Sequence, residues 1–344
     1  MKAAKILKNT GIMLILPVAT YLFFFIFTRV LGYDGYGVGS NIQSMMYSAV
    51  YSGLVAQAMT INLQTGRFDF ALGATLVLSA VVGGNIAKDI GADWFLFFVI
   101  VVAVAAVVGL VSGLVYVLLE LPPMVVSLGL AMIYEAISFM VNKSKGIRMI
   151  GKTAILIWSR WPYGIILMVI VVALLVIVYD YSKIGYNRRA LAGGQKIAVD
   201  VGIREKKNAV YCYIIAGALM GMAGLVWMSN IGFIEPSTGL ASSSYFMNAF
   251  LPMFIGSIFG KYSSQPIAVF MGSITQAFIF SALSILRLSN SWQQVIIGVI
   301  VCIFLIYSSN SYKLEEAKMF KAKKLAAENA KTLKEYHAQG GISC

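Results

Sequence analysis

Residues 146–153 have the types and spacing of a phosphate-binding loop. They read GIRMIGKT and match the pattern G-x-x-x-x-G-K-[ST], with Gly146, Gly151, Lys152 and Thr153 at the fixed positions. In a nucleotide-binding loop of this kind, backbone N–H groups hold the phosphates while the lysine and the hydroxyl contact phosphate and magnesium. That chemistry requires a strand before the loop and a helix after it, so the surrounding sequence decides whether the match is meaningful.

The composition is that of a membrane protein. Of the 344 residues, 59% are hydrophobic and 12% are charged, whereas soluble domains contain about 25% charged residues. Long apolar runs with few charges predict transmembrane helices, and no segment alternates like a strand of a membrane barrel. We therefore predict an all-α polytopic membrane protein with about ten transmembrane helices, some of them broken or short. The predicted helices are 11–28, 42–61, 70–87, 95–119, 123–142, 162–179, 209–230, 244–259, 265–286 and 292–308.

This architecture argues against a nucleotide site. The segment GIRMIGKT follows one predicted transmembrane helix and precedes another apolar stretch, so no strand–loop–helix unit surrounds it. The sequence also shows no His, Cys, Asp and Glu cluster with the spacing of a metal or catalytic site. We predict no cofactor, no metal, no catalytic residue and no enzymatic activity.

Basic residues indicate the orientation of the chain. With both termini in the cytoplasm, 19 of the 27 lysine and arginine residues lie on the cytoplasmic side, as the positive-inside rule requires. The net charge of +13 is then explained by this orientation and by attraction to anionic membrane lipid, not by nucleic-acid binding. We predict a transmembrane domain at 1–310 and a charged cytoplasmic tail at 311–344.

The stretch NLQTGRFDFALGA, residues 62–74, places polar residues between two apolar helices. At membrane depth, polar non-helical backbone must be buried in protein or line a water-filled cavity. Asp69 is placed to cap the helix that starts near Phe70, although a carboxylate in the membrane can also mark a transport path. Glu135 is a second buried acidic candidate, which could instead face hydroxyl groups of a neighbouring helix.

Two further patterns concern packing and docking. The G-x-x-x-G pairs Gly109–Gly113 and Gly217–Gly221 predict close helix contacts, within one bundle more than between copies. The polar loop at about 190–208 contains QKIAVDVGI, which can form a short helix. This loop is either a solvated surface or a docking helix for a cytoplasmic partner.

Four segments resemble the membrane permeases of ribose-, xylose- and galactose-type ABC importers. They are TGRFDFALG (65–73), LPPMVVSLGLAMIY (121–134), ALAGGQKIAVDVGI (190–203) and SWQQVIIGVIV (291–301), which follow one another in the family's order. The sequence also departs from the family pattern. Arg67 replaces a glycine, Glu135 stands where arginine is common, and GSIFGKYSSQP at 256–266 replaces a glycine-rich run.

The resemblance implies a permease subunit that forms the path of a small polar solute, a monosaccharide in that family, across a bacterial-type inner membrane. Its implied partners are a separate ABC ATPase subunit, a second permease copy or a paralogue, and an extracytoplasmic solute-binding protein. In the family the loop at 190–208 contacts the ATPase. We accordingly assign coupling to Gly193, Gly194, Ala198, Val201, Gly202 and Ile203.

A sugar path needs hydrogen-bonding side chains and aromatic faces. Our candidates are Asn62, Gln64, Asp69, Asn248, Gln276, Trp292 and Gln293. For each of them, bonding between helices is an alternative role. An ion-coupled secondary transporter is the alternative function, but such carriers keep ionisable residues in mid-membrane, and this sequence has few. A membrane-embedded enzyme is disfavoured because no catalytic cluster is present.

Overall fold

Apolar segments form helices throughout the chain, because a backbone in lipid must satisfy its own hydrogen bonds. The computed structural model describes residues 11, 13–152, 154–260, 264–289, 291–303, 305–306 and 310. Its helices are α1 (Ile15–Val30), α2 (Gly39–Leu63), α3 (Leu72–Asp89), α4 (Trp94–Leu119), α5 (Pro123–Met140), α6 (Tyr163–Tyr181), α7 (Lys183–Gly193), α8 (Gln195–Asp200), α9 (Glu205–Ile231), α10 (Ser244–Met247), α11 (Phe250–Phe259), α12 (Gln265–Ile285) and α13 (Ser291–Ile303). Two 3₁₀ turns, Val141–Ser144 and Ala241–Ser243, and two short strands, β1 (Ile147–Arg148) and β2 (Phe233–Ile234), complete the described secondary structure.

Each predicted helix has a counterpart whose described ends agree within a few residues, and the predicted end at 308 lies outside the described residues. The exception is the predicted helix 244–259, which is broken at Asn248 and Ala249 into α10 and α11. The predicted tail at 311–344 lies outside the described residues. The helical prediction is therefore confirmed, and the break supplies one of the short helices that it included.

Fewer described helices have the length and hydropathy of a membrane span than were predicted. Among the described residues, five helices are long and apolar enough to span a membrane: α4, α5 with the turn that follows it, α6, α9 and α12. Helices α1 and α13 are apolar but shorter. Most residues of α2 and α3 are buried against other helices, so these two helices can carry more polar side chains than a helix that faces lipid. This protein is thus an all-α membrane protein in which length and hydropathy single out five of the described helices, including the central α9, and do not support the count of about ten.

Helix α9 packs against α4, α2 and α3 and forms the centre of the bundle. Its closest contact, with α4, depends on glycine. A Cβ at Gly217 would lie 2.4 Å from the backbone oxygen of Ala105, and a Cβ at Gly109 would lie 2.4 Å from the backbone oxygen of Tyr213. Any side chain at either position would force the two backbones apart. The predicted close packing within the bundle is confirmed.

Residues 146–152 do not have the geometry of a phosphate-binding loop. Strand β1 pairs antiparallel with β2, with Ile147 opposite Ile234 and Arg148 opposite Phe233. The next helix, α6, begins only at Tyr163, so no helix N-terminus follows the match to receive a phosphate. Thr153 lies outside the described residues.

Candidate functional site

A cavity of about 290 Å³ lies between α2, α9, α12 and the break that separates α10 from α11. We call it the aromatic cavity. Its wall contains aromatic rings, side-chain amides and serine hydroxyls. The residues that carry these groups are Ser44, Tyr47, Ser48, Tyr51, Ser52, Trp227, Tyr245, Asn248, Gln276, Phe280, Ser281, Ser284 and Gln293.

The aromatic wall is built by three helices. The Trp227 ring of α9 lies between Tyr51 of α2 and Tyr245 of α10, with ring centroids 5.2 Å apart in both pairs. The Tyr51 hydroxyl donates a hydrogen bond of 2.7 Å to the backbone oxygen of Tyr245, which fixes α10 against α2. Such a wall offers flat apolar faces beside hydrogen-bonding groups, as ligand pockets commonly do.

The amide side chains in the cavity have structural contacts as well. Gln276 is 1% exposed, and its Nε2 donates to the backbone oxygen of Asn248 at the helix break. Its Oε1 has no partner among the described residues. Gln293 Nε2 donates to the backbone oxygen of Leu288 at 2.9 Å. Gln276 therefore holds the break in place, and its Oε1 is a buried acceptor at the edge of the cavity.

The aromatic cavity occupies one half of the bundle only. Its lining residues on α2 stop at Ser52, and those on α12 begin at Gln276. Further along the same helices Leu54, Ile61 and Val269 are fully buried in the hydrophobic core. The cavity lies where α2 begins and where α9 and α12 end, and apolar packing closes the opposite half.

Helices α7 and α8 form the segment for which docking was predicted. The predicted short helix is present as α8, between Gly194 and Gly202. Ala198 is only 4% exposed, whereas Ile197 is 71% and Val201 73% exposed. The contact that we expected from Ala198 is therefore directed into the protein. Ile197, which the sequence analysis did not select, takes its place on the exposed face.

Arg188 connects this segment to the rest of the bundle. The side chain is 2% exposed, and its guanidinium lies 3.7 Å from the centroid of the Tyr179 ring at the end of α6. Arg188 also donates a 3.0 Å hydrogen bond to Oε1 of Gln265, the first residue of α12. Since α12 carries Gln276, a contact route runs from α7 to the aromatic cavity.

The comparison with known proteins identifies the family. Residues 41–305 match the family described as the permease component of branched-chain amino acid transport systems. The chain belongs to this permease family. The prediction of a transport permease, drawn from four short segments of sequence, is confirmed.

Several relatives of this permease are named as sugar permeases. The fructose import permease FrcC of Rhizobium meliloti is 26% identical over 269 residues, which cover 73% of this chain and 72% of that protein. The ribose import permease RbsC of Bacillus subtilis is 25% identical over 275 residues, 76% of this chain and 83% of that protein. The D-allose permease AlsC of Escherichia coli is 25% identical over 269 residues, 76% and 81% of the two chains.

The structure brings some of the candidate path residues of this permease together and separates others. Asn248, Gln276 and Gln293 line the aromatic cavity. Trp292 is 62% exposed and does not line it. Asn62 lies at the far end of α2 and Gln64 and Asp69 lie in the loop that follows it, beyond the closed half of the bundle. The sequence analysis missed Tyr51, Trp227 and Tyr245 as path residues, because nothing in the sequence around each of them indicates that their rings share one cavity.

Glu135 is buried as expected, but it binds backbone groups and not the hydroxyl groups of a neighbouring helix, which were the alternative considered for it. It is 1% exposed, and its two carboxylate oxygens accept hydrogen bonds of 2.8 Å from the backbone N–H groups of Leu240 and Ser242. Ser242 packs so closely on α3 that a Cβ at Gly73 would lie 2.0 Å from its backbone oxygen. Glu135 therefore fixes the segment that precedes Tyr245 and the aromatic cavity.

Arg67, which replaces a glycine of the family pattern, is almost completely buried at 1% exposure. Its Nη1 lies 3.7 Å from Oε1 of Glu205 in the first turn of α9, and the guanidinium has no hydrogen-bond partner among the described residues. Nearby, Lys206 donates a hydrogen bond that lowers the pKa of the exposed Glu120 carboxyl below its usual value. These two ion pairs attach the loop between α2 and α3 and the loop between α4 and α5 to the start of α9.

Asp69 accepts a 2.8 Å hydrogen bond from the backbone N–H of Ala71. The predicted helix cap is therefore wrong in detail: Ala71 itself is the N-cap residue of α3, no side chain caps this helix, and Asp69 closes the turn before it. If its role is to cap this turn, Asp69→Asn should be mild, because asparagine accepts the same hydrogen bond. Asp69→Ala should lower the free energy of unfolding by about 1 kcal/mol, the net contribution of one hydrogen bond. Thermal unfolding of the purified permease and uptake by the assembled transporter measure the two effects. Loss of uptake by a folded Asp69→Asn protein would show that the charge serves transport.

Proposed function

We propose that this chain is the transmembrane permease subunit of an ABC importer and that the aromatic cavity forms part of the path of a neutral monosaccharide. A sugar ring presents C–H groups on its faces and hydroxyl groups at its edge. Trp227 and the two tyrosines beside it offer flat surfaces for the faces, while Gln276, Asn248 and the serines can bond the hydroxyls. The observation that carries the proposal is this combination in one cavity.

The charge of the cavity supports a sugar over an amino acid. The family description names branched-chain amino acids, which carry an ammonium and a carboxylate group at neutral pH. Taking such charges out of water requires groups of opposite charge in the site. None of the described residues that line the aromatic cavity is Asp, Glu, Lys or Arg. The fructose, ribose and D-allose permeases among the relatives agree with a neutral solute.

Import by this permease needs partners that supply energy and solute. We assign ATP hydrolysis to a separate ATPase subunit, the solute supply to an extracytoplasmic binding protein, and no catalytic role to this chain. A second permease copy or a paralogue completes the membrane part. We infer ten crossings of a bacterial inner membrane with both termini in the cytoplasm, a transmembrane domain to residue 310 and a cytoplasmic tail at 311–344. In this arrangement the outer helices shield α2, α3, α10 and α11 from lipid.

The segment of α7 and α8 is the proposed ATPase contact. The exposed Ile197 and Val201 supply its apolar surface, and Gly193, Gly194, Gly202 and Ile203 shape the turns around it. Movement of this segment reaches α12 through Arg188 and Gln265, whose hydrogen bond is 3.0 Å long. Because α12 carries Gln276, an ATPase movement can alter the aromatic cavity without any nucleotide bound to this chain.

The test of this function is uptake by the assembled importer in proteoliposomes. Radiolabelled fructose, ribose, D-allose and leucine are offered one at a time, with and without internal ATP. We expect at least one sugar to be taken up with ATP only, and leucine to be excluded. Sugar uptake that continues without ATP and follows an ion gradient would instead establish a secondary transporter. Uptake of leucine alone would overturn the assignment of a sugar.

The aromatic wall has its own test in the same assay. Trp227→Ala removes the ring between Tyr51 and Tyr245, so we expect the sugar concentration for half-maximal uptake to rise about tenfold, the effect of about 1.4 kcal/mol. The matched control is Trp94→Ala, which removes a tryptophan that does not line the cavity. Equal effects of the two substitutions would contradict a role for the aromatic cavity in the solute path.

A further inference from the structure

A second cavity, of about 350 Å³, adjoins the aromatic cavity. We call it the polar chamber. Its own lining comes from the start of α2, the loop before α6 and the end of α9. These residues are Ser40, Gln43, Ser159, Arg160, Ser229 and Asn230. Ser44 and Tyr47 line both cavities, so the two spaces are neighbours along α2.

The chemistry of the polar chamber differs from that of the aromatic cavity. Every lining residue carries a hydroxyl, an amide or a guanidinium group, and none of those described carries a carboxylate. The Ser229 hydroxyl is buried without a hydrogen-bond partner among the described residues, and so is that of Tyr47. Buried polar groups of this kind are destabilising unless a ligand or water bonds them. The chamber thus suits a ligand with many hydroxyl groups and disfavours a cationic one.

Tyr47 stands at the boundary of the two cavities. Its ring is stacked near that of Tyr51, with centroids 6.3 Å apart and planes 18° apart, and it continues the aromatic wall towards the polar chamber. Its hydroxyl makes no hydrogen bond of normal geometry, although the Asn230 side chain of the polar chamber lies beside it, so packing and this weak polar contact hold the ring in position. Its position on the walls of both cavities makes this ring the candidate boundary between them.

We propose that the polar chamber is a second solute site. It holds a small polyhydroxylated solute by hydrogen bonds before that solute enters the aromatic cavity, and Tyr47 separates the two sites. This inference rests on the proposed sugar transport. The inference adds a second place where the solute binds. This place offers hydrogen-bonding groups but not the stacking surface of Trp227, which lines only the aromatic cavity.

Cysteine labelling of the assembled importer in right-side-out vesicles tests the second site. Cys302 and Cys344 are first replaced by serine, while the buried Cys212 is retained. Ser159→Cys then reports on the polar chamber and Ser48→Cys on the aromatic cavity. Asp34→Cys is the control, because the Asp34 side chain is 80% exposed and lines neither cavity. The probe is a membrane-impermeant maleimide, with fructose, ribose and D-allose added one at a time.

We expect a transported sugar to slow the labelling of Ser159→Cys and Ser48→Cys severalfold and to leave Asp34→Cys unchanged. Protection of Ser48→Cys alone would overturn the second site while leaving the proposed function intact. Protection of neither position by any of the three sugars would overturn both. If neither Ser159→Cys nor a second variant, Ser40→Cys, is labelled without sugar, the solute cannot reach the chamber and the inference fails.

The separating role of Tyr47 is measured by labelling rates without sugar. With Tyr47 or Tyr47→Phe, the maleimide should label Ser48→Cys severalfold more slowly than Ser159→Cys, because a ring still stands between the cavities. Tyr47→Ala should make the two rates similar. Similar rates with the ring in place would show that Tyr47 separates nothing, and a persistent difference in Tyr47→Ala would lead to the same conclusion. A purely structural role for the ring would change protein abundance but not the ratio of the two rates.

Discussion

Ile197→Glu is expected to abolish ATP-driven uptake while the permease remains folded in the membrane. Ile197 is 71% exposed on α8, as is Val201 at 73%, so the substitution removes little packing within the chain. If this surface docks into the ATPase, the new carboxylate is buried there without a partner, which costs several kcal/mol. That free energy is enough to separate the subunits or to disconnect hydrolysis from transport.

The measurements for Ile197→Glu are co-purification of the ATPase, uptake, and the abundance of the permease in the membrane. Ile90→Glu is a matched control, because Ile90 is 59% exposed just after α3, at the end of the bundle away from α8. A solvated loop without a partner predicts the same small effect for both variants, within about 0.5 kcal/mol. Normal uptake by Ile197→Glu would therefore rule out docking through this face. Ala198→Glu is a poorer test, since Ala198 is buried and its substitution would also disturb the permease itself.

Gly217→Ala should markedly destabilise the bundle, although it adds only one methyl group. The new Cβ would lie 2.4 Å from the backbone oxygen of Ala105 and 3.0 Å from Cα of Gly109. Neither backbone atom can rotate away as the end of a side chain can, so α4 and α9 must separate. Overpacking typically costs 1–3 kcal/mol, and here the strain falls on the central helix contact. We expect a lower thermal midpoint in detergent and less protein in the membrane.

Gly129→Ala is the matched control for this substitution. Gly129 lies within α5, and a Cβ built there meets no atom within 4 Å. Alanine is the better helix former by about 1 kcal/mol in water, so the control protein should be at least as stable as the original. Equal thermal midpoints for Gly217→Ala and Gly129→Ala would contradict the close contact of α4 and α9.

The sequence by itself determined the class of fold, the family and the close helix contact. Lipid forces each crossing segment to satisfy its hydrogen bonds locally, so runs of apolar residues locate the helices without knowledge of their neighbours. The glycines at 109 and 217 indicated close packing for a similar local reason, since only a residue without a side chain permits such an approach. The short helix α8 could be predicted from the segment QKIAVDVGI, because glycine residues stand before the helix and at its end.

Only the tertiary structure decided which side chains meet. Tyr51, Trp227 and Tyr245 come from three separate helices, and nothing in their local sequence indicates that their rings share a wall. The break between α10 and α11 is likewise held by a distant residue, Gln276 of α12, which bonds the backbone of Asn248.

Helix rotation explains the remaining differences between expectation and structure. Ala198 faces inward and its neighbour Ile197 outward because packing of α8, and not the polarity of the loop, sets the exposed face. Glu135 bonds the backbone of Leu240 and Ser242 because α5 presents it to a segment about a hundred residues further along the chain. Hydropathy is a property of neighbouring residues, whereas a site depends on how distant helices are ordered and rotated against one another.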